Sequence, residues 1–421
     1  MILQIVYKSI EHESISFKQP IYKFKMKSLL SIISIVSIVL SSTGGLAQKN
    51  IVADDGLNNI INKNFSDADE QYKVMMKQLP AGRIPKTFEN DTLRTSGSDW
   101  WCSGFYPGSL LYIYEQTEDT VLYNEAMRVL SLLAKEQYNT GTHDLGFMMY
   151  CSFGNALRST PANEEYKKIL INSARSLSTR FNPTVGCIKS WDSKPSDFLV
   201  IIDNMMNLEL LFWATRETGD SSFYKIAVTH ANTTMKNHFR DDYSSYHVIN
   251  YNPQTGAVQQ KRTAQGAADS SAWARGQSWG LYGYTVMYRE THDKKYLDQA
   301  NHIAGFLLNN PNLPADKIPY WDYDAPGIPN ALRDASAAAI MASALIELSS
   351  YVSKEDAEKY RNVAGIILHN LSSPQYKAAI GTNGGFILKH SVGHLPGKSE
   401  VDVPLTYADY YFLEAMKRYK E

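Results

Sequence analysis

The sequence predicts an all-α fold of helical hairpins closed into an α/α barrel, with short β-hairpins in the loops. Three observations carry that prediction: a helix-turn-helix unit recurs, strand signals are few, and no Gly/Ser-rich linker or composition break divides the units. Thr117-Glu118-Asp119 leads to Ala126, Thr218-Gly219-Asp220 to Ala227 and Thr291-His292-Asp293 to Ala300, with the same nine-residue offset each time. An apolar, aromatic-rich segment precedes each copy, and a helical apolar pattern such as Ala126, Leu130, Leu133 follows it. Each Asp is placed to cap the second helix, its side chain accepting from backbone N–H groups that have no partner inside the helix. A weaker copy runs from Ser353 through Tyr360 and Ala364.

Taken along the chain, Lys23, Lys25 and Lys27 precede an apolar run from Leu29 to Leu40 and a small-residue stretch ending at Ala47. That order is a secretory signal peptide, too short to span a bilayer, which takes about 20 residues. Residues 1–47 are therefore expected to be an over-called start, with Met26 the true one, plus the signal; 48–421 are expected to form a single exported, periplasmic domain with no membrane span. The run 199–213 is apolar nearly all round and reads as a buried inner helix. Tyr246 to Tyr251 alternates and meets Asn252-Pro253-Gln254-Thr255-Gly256, a short hairpin signal. With helices of about 12 to 15 residues plus connections, the remaining length holds about a dozen helices, or six hairpins. The copies are irregularly spaced, which favours long loops inserted at one end of a closed barrel over a plain solenoid. Those loops would build a site.

Lys+Arg 42 against Asp+Glu 43 leaves a net charge of -1, which gives no electrostatic footprint for a nucleic-acid backbone or a polybasic membrane contact. Cys102, Cys151 and Cys187 cannot all pair and match no zinc motif. No Gly-rich phosphate loop, Gly-x-Ser-x-Gly elbow or His-Glu-x-x-His is present, which disfavours nucleotide, serine-hydrolase and zinc-peptidase chemistry.

Two acids stand out. Asp203 lies among Ile201, Ile202, Met205 and Met206, where burial would raise its pKa into the range a general acid needs; capping of the following helix is the competing reading. Asp144 sits beside His143 and Gly146 ahead of another apolar stretch, and helix capping competes there too. Paired carboxylates in unlike environments suit glycosidic chemistry. Trp100-Trp101, Trp273 with Arg275, and Tyr320-Trp321-Asp322 place aromatic faces beside polar groups, a combination that suits an acidic sugar, although core packing explains any single Trp as well.

In order, these segments resemble the unsaturated glucuronyl hydrolases, glycoside hydrolase family 88. The resemblance covers about residues 100–414 and rests on Trp101, Gly104, Phe105 and Gly108; His143-Asp144-Leu145-Gly146-Phe147; Ile202-Asp203 with Asn207-Leu208; and Asp242 to His247. It continues through Gln265-Gly266; Ser271, Trp273, Arg275, Gln277 and Trp279; Tyr320-Trp321-Asp322; Arg333-Asp334 with Ser336; and Asp409 to Glu414. It implies an (α/α)6 barrel that removes the 4,5-unsaturated uronic acid left at the non-reducing end by polysaccharide lyases, hydrating the ring's vinyl ether, with no metal or organic cofactor. By position Asp203 matches the acid/base and Asp144 the second essential aspartate. His143 belongs to the same motif, Trp101 matches a stacking wall, and His247, Gln265, Trp273 and Arg275 match residues around the unsaturated ring. Ser391 and Lys398 resemble a serine and lysine that relatives use to hold a sulfate on the next sugar; an exposed flexible loop fits that stretch equally well. Ser103, where some relatives carry an acid, and Thr142, in place of a second histidine, depart from the pattern at the rim. The competing readings are an unsaturated rhamnogalacturonyl hydrolase and an exported glycan-binding protein without turnover.

Overall fold

Asp119, Asp220 and Asp293 cap their helices as their spacing predicts, accepting from the backbone N–H of Val121, Ser222 and Lys295, and Ser353 does the same for Asp356. Each such cap contributes about 1 kcal/mol and fixes where a hairpin turns. The computed structural model describes residues 56–421, of which Leu57–Glu421 make one compact unit. The signal segment 1–47 lies outside the described residues.

Twelve helices among the described residues are α1 (56–78), α2 (Phe105–Thr117), α3 (Thr120–Leu133), α4 (Asn155–Ser159, continuing a π-helical stretch Gly146–Gly154), α5 (Glu164–Ser178) and α6 (Leu208–Thr218), followed by α7 (Ser221–His238), α8 (Ala274–Thr291), α9 (Lys294–Asn309), α10 (Ala335–Ser349), α11 (Lys354–Leu371) and α12 (Thr406–Lys420). The even-numbered helices, with the π-helical stretch standing for α4, pack in sequence and close when α12 meets α2. The odd-numbered ones pack outside them. Helix α1 completes the outer ring, Asn64 donating to Met416 and Tyr72 to Asp409 on α12. This is the (α/α)6 barrel.

Sequence pattern separates the rings. Inner α10 is buried almost all round, Ala335 to Leu348, as a helix with no polar face must be. Outer α3 and α9 bury one stripe each, Leu122, Ala126, Val129, Leu130 and Leu133 on α3. In the middle and C-terminal turns of α8, α10 and α12 an ionic network closes the barrel, joined by Glu209 from the first turn of α6. Arg289 meets Glu209 and Glu347, Arg418 meets Glu347, and Tyr282 and Ser343 donate to Glu414. Burial pushes the Glu347 carboxyl up, but the two guanidiniums outweigh it and hold the group below its ordinary range. Both arginines stand in or just beyond the last turn of a helix, where positive charge is favoured.

The N-terminal ends carry the long insertions and nearly all the strands. β1 (Ile84–Glu89) and β2 (Thr92–Ser96) turn on Asn90 and Asp91, both left-handed at φ 50° and 53°, a two-residue turn suited to Asn and Asp. β3 (Phe181–Asn182) pairs with β4 (Cys187–Ile188); β5 (Phe198–Ile201), β6 (Val248–Tyr251) and β7 (Val258–Arg262) form an antiparallel sheet in that order; β8 (Ser391–His394) pairs with β9 (Ser399–Val403). The expected hairpin after Tyr246 is β6–β7. The inner helix expected over 199–213 is corrected: its first three residues are the end of β5, Ile202–Asn207 is a 3-10 turn, and only Leu208 onward is α-helix. All of β5 is buried, so it shows no alternation, and a short apolar run of that kind reads as helix or strand alike.

Candidate active site

Asp203 enters the barrel mouth because β5 is pinned in the sheet while the chain immediately coils into the 3-10 turn; His247 does the same from the start of β6. The backbone N–H of Ile202 bonds the His247 carbonyl at 3.0 Å and locks the two segments together. The Asp203 side chain is nearly buried, its Oδ2 has no hydrogen-bond partner, and burial raises its pKa to about 7. The charge of Arg275 opposes that rise and the charge of Asp144 adds to it. Asp203 makes no cap hydrogen bond, so the capping reading does not hold.

His247 is buried, and its Nδ1 accepts from the backbone N–H of Ala264 and Gln265, both at 3.2 Å. Its proton is therefore on Nε2, which faces Asp203 Oδ2 at 3.9 Å. Burial holds the ring pKa well below its ordinary value, so it is a neutral donor. Trp273 packs behind it, tilted by 35°, at 4.5 Å between ring centroids.

Asp144 comes from the segment leading into the π-helical stretch. Its Oδ2 accepts from Thr142 Oγ1 at 3.1 Å and its Oδ1 lies 3.3 Å from His143 Nε2. No helix cap is formed here either. His143 Nδ1 donates to the Ser190 carbonyl at 2.9 Å, and burial lowers the ring's pKa.

Asp203, Asp144, His143, Trp101, Gln265 and Arg275 line one cavity of about 250 Å³. His247 and Trp273 stand directly behind that lining. Arg275, expected beside the unsaturated ring, is buried and bonds Asp334 at 3.1 Å and the carbonyls of Val392 and Gly393 at 2.6 and 2.7 Å. Gln265 donates to the same Gly393 carbonyl at 2.8 Å. Arg275 thus places a positive charge in the cavity lining while tying β8 to the barrel. Ser391 and Lys398 are not brought together. Ser391 is fully buried in β8, whereas Lys398, in the turn before β9, lines a neighbouring groove with Phe88, Asn90 and Asn383.

The cavity also uses residues the sequence reading missed: Lys86, Trp191, Glu400 and Tyr407. Trp191 carried a signal, an aromatic alone in a polar loop between Lys189-Ser190 and Asp192-Ser193. Lys86 and Glu400 carried none, since each reaches the cavity through a local distortion of its strand.

The arrangement is an aromatic-walled pocket with one acid near half-protonation at neutral pH, a second acid, and neutral histidines. The family model described as Glycosyl Hydrolase Family 88 matches residues 68–301. An unsaturated glucuronyl hydrolase of Formosa agariphila is 46% identical over 363 residues, which are 85% of this chain and 90% of that protein. An unsaturated chondroitin disaccharide hydrolase of Streptococcus pneumoniae is 33% identical over 80% of this chain and 85% of its own. A crystal structure of an unsaturated glucuronyl hydrolase specific for heparin is similar with a TM-score of 0.83 and 50% identity, covering 86% of this chain and 97% of that one. Fold, site and sequence agree, and the chain belongs to glycoside hydrolase family 88.

Proposed function

We infer that this protein is a glycosidase that removes the 4,5-unsaturated uronic acid from the non-reducing end of lyase-generated glycosaminoglycan oligosaccharides. The observation that carries the mechanism is Asp203: nearly buried in the lining of a sugar-sized cavity, raised to about 7, with its Oδ2 unpartnered on the side of His247. Near neutral pH a large fraction of the enzyme holds that proton. Asp203 gives it to carbon 4 of the unsaturated ring, and the developing positive charge spreads over carbon 5 and the ring oxygen. The carboxylate so formed is stabilised by the charge of Arg275 and faces the His247 Nε2–H at 3.9 Å. It then takes a proton from the water that adds at carbon 5, which restores the acid. The resulting hemiketal opens, and the bond to the neighbouring sugar breaks without attack at the anomeric carbon. Asp144 shares the cavity and completes the acidic pair, Trp101 supplies a wall for the ring, and Gln265 and His143 are placed to bind its polar edge.

The test is to follow the ultraviolet absorbance of the conjugated double bond with a panel of unsaturated uronyl disaccharides. Wild-type enzyme is expected to bleach it and Asp203→Asn to leave it unchanged. An inert panel with turnover of a pectin-derived unsaturated disaccharide would move the substrate to rhamnogalacturonan; binding with no bleaching of either would reduce the protein to a glycan receptor. We also propose that residues 48–421 work as a single domain in the periplasm, on the strength of the Lys-rich and apolar segment ending at Ala47. Cell fractionation with amino-terminal sequencing of the mature protein checks it.

A further inference from the structure

Two backbone irregularities converge on one ion pair at the cavity mouth. In the β1–β2 ladder Pro85 pairs with Thr95 and Thr87 with Arg94, so Lys86 is an extra, bulged residue. Bulges re-aim side chains, and this one turns Lys86 into the cavity wall. From the other side, Glu400 on β9 is held at φ 56°, a left-handed conformation that non-glycine residues rarely adopt. Its side chain packs over Gly393, where a Cβ would collide with it. The two side chains meet at 3.0 Å between Lys86 Nζ and Glu400 Oε1, and the ammonium also lies 4.7 Å from the centre of the Trp100 ring.

Depth assigns the pair to a position along the substrate. Asp203 and Arg275 mark the buried side of the cavity, where the proposed reaction places the unsaturated ring; Trp100, 43% exposed, marks the exposed side, which leaves it to the departing sugar. Among the described residues, the Lys and Arg lining the cavity are Lys86 and Arg275, and Arg275 is committed to Asp334 and two carbonyls. An ammonium has three donors, and its contact with Glu400 is an ion pair in which none of them makes a hydrogen bond. Lys86, a quarter exposed, can offer them to an anion while Trp100 supports the sugar face.

We propose that Lys86 is the residue that reads a sulfate group on the departing sugar, with Glu400 holding it in place and competing for it. This rests on the glycosidase reading above, and it places sulfate recognition on β1 rather than at Ser391 and Lys398. The experiment measures kcat/KM of the full-length mature enzyme on unsaturated uronyl hexosamine disaccharides with and without a 6-sulfate or N-sulfate. In Lys86→Gln the sulfated-to-unsulfated ratio is expected to fall about tenfold, the effect of one charge-assisted hydrogen bond at a partly exposed site. In Glu400→Gln the same ratio is expected to rise about threefold, a gain that misfolding does not produce. A ratio unmoved in both variants, or moved only by Lys398→Ala, overturns the assignment to Lys86. If wild-type enzyme turns over neither class of disaccharide, the glycosidase reading itself fails and the assignment falls with it.

Discussion

Asp203 and Asp409 are both buried carboxyl groups raised to about 7, and burial is the main cause in each. Their surroundings differ. Asp409, in the first turn of α12, accepts from the backbone N–H of Ile387 and Leu388 at 2.8 and 2.9 Å and from the Tyr72 hydroxyl at 3.4 Å. It ties α12, α1 and the chain leading into β8 together, and no lining residue of the cavity lies at its position. Asp203 lines the cavity, and its Oδ2 is buried without a partner, 3.9 Å from the His247 Nε2–H. A raised pKa therefore marks burial, and only the unfilled oxygen and the open space mark chemistry.

The strongest way to break that comparison is to remove each acid. Asp203→Asn is expected to lower kcat by about a thousandfold or more. The same variant should be more stable than wild type at pH 8. An acid whose folded pKa lies above its unfolded value binds its proton more tightly in the folded state, so stability falls as pH rises from about 4 to about 7 and stays low above. Removing Asp203 removes its share of that loss, a gain of up to about 4 kcal/mol. Thermal unfolding at pH 5 and pH 8 checks it. Equal stability of the two proteins at pH 8 would sink the claim that Asp203 is held ionised against its environment.

Asp409→Ala should do the reverse. At pH 6 the wild-type group is mostly protonated and still accepts both amides, so truncation strands two buried N–H groups and destabilises the fold by about 3 kcal/mol. The folded fraction should keep its alkaline pH limb near 7, because that limb belongs to Asp203. A limb displaced by a whole unit in this variant would mean that the two acids are coupled.

How far this was legible in the sequence follows from range. Caps and hairpins are local, so Asp119, Asp220 and Asp293 could be read from spacing alone. Asp203 stands out from its apolar neighbours, but its segment reads as helix because four buried residues of β5 carry no period. Asn90-Asp91 was a readable turn that was overlooked. Nothing local tells that Arg275 is spent on Asp334, Val392 and Gly393, between 59 and 118 positions away in the chain, or that Lys86 meets Glu400. The family resemblance supplied the pairing of Asp144 with Asp203 that spacing could not.

Asp144 sharpens the comparison at smaller scale. Its charge adds to the rise of Asp203, so Asp144→Asn should move the alkaline limb of kcat downward from about 7, by less than about one unit. Turnover should also fall by about a hundredfold if the second acid takes part in the reaction. A pH–rate profile separates the two effects: lowered activity with an unmoved limb would show that Asp144 acts without sensing Asp203.

The smallest effect is expected where an aspartate does only what its local sequence says. Asp293 accepts from Lys295 N at 3.2 Å, pairs with the Lys295 ammonium at 2.9 Å and is half exposed. Its ion pair is screened by water and adds little, so Asp293→Ala should cost about 1 kcal/mol, the value of the cap. Turnover should be unchanged, since α9 lies in the outer ring away from the cavity. Urea unfolding, read beside the bleaching assay, measures both. A loss of activity here would mean that the outer hairpins set the geometry of the inner ring's N-terminal ends, and that capping and catalytic aspartates in this barrel do not divide by position.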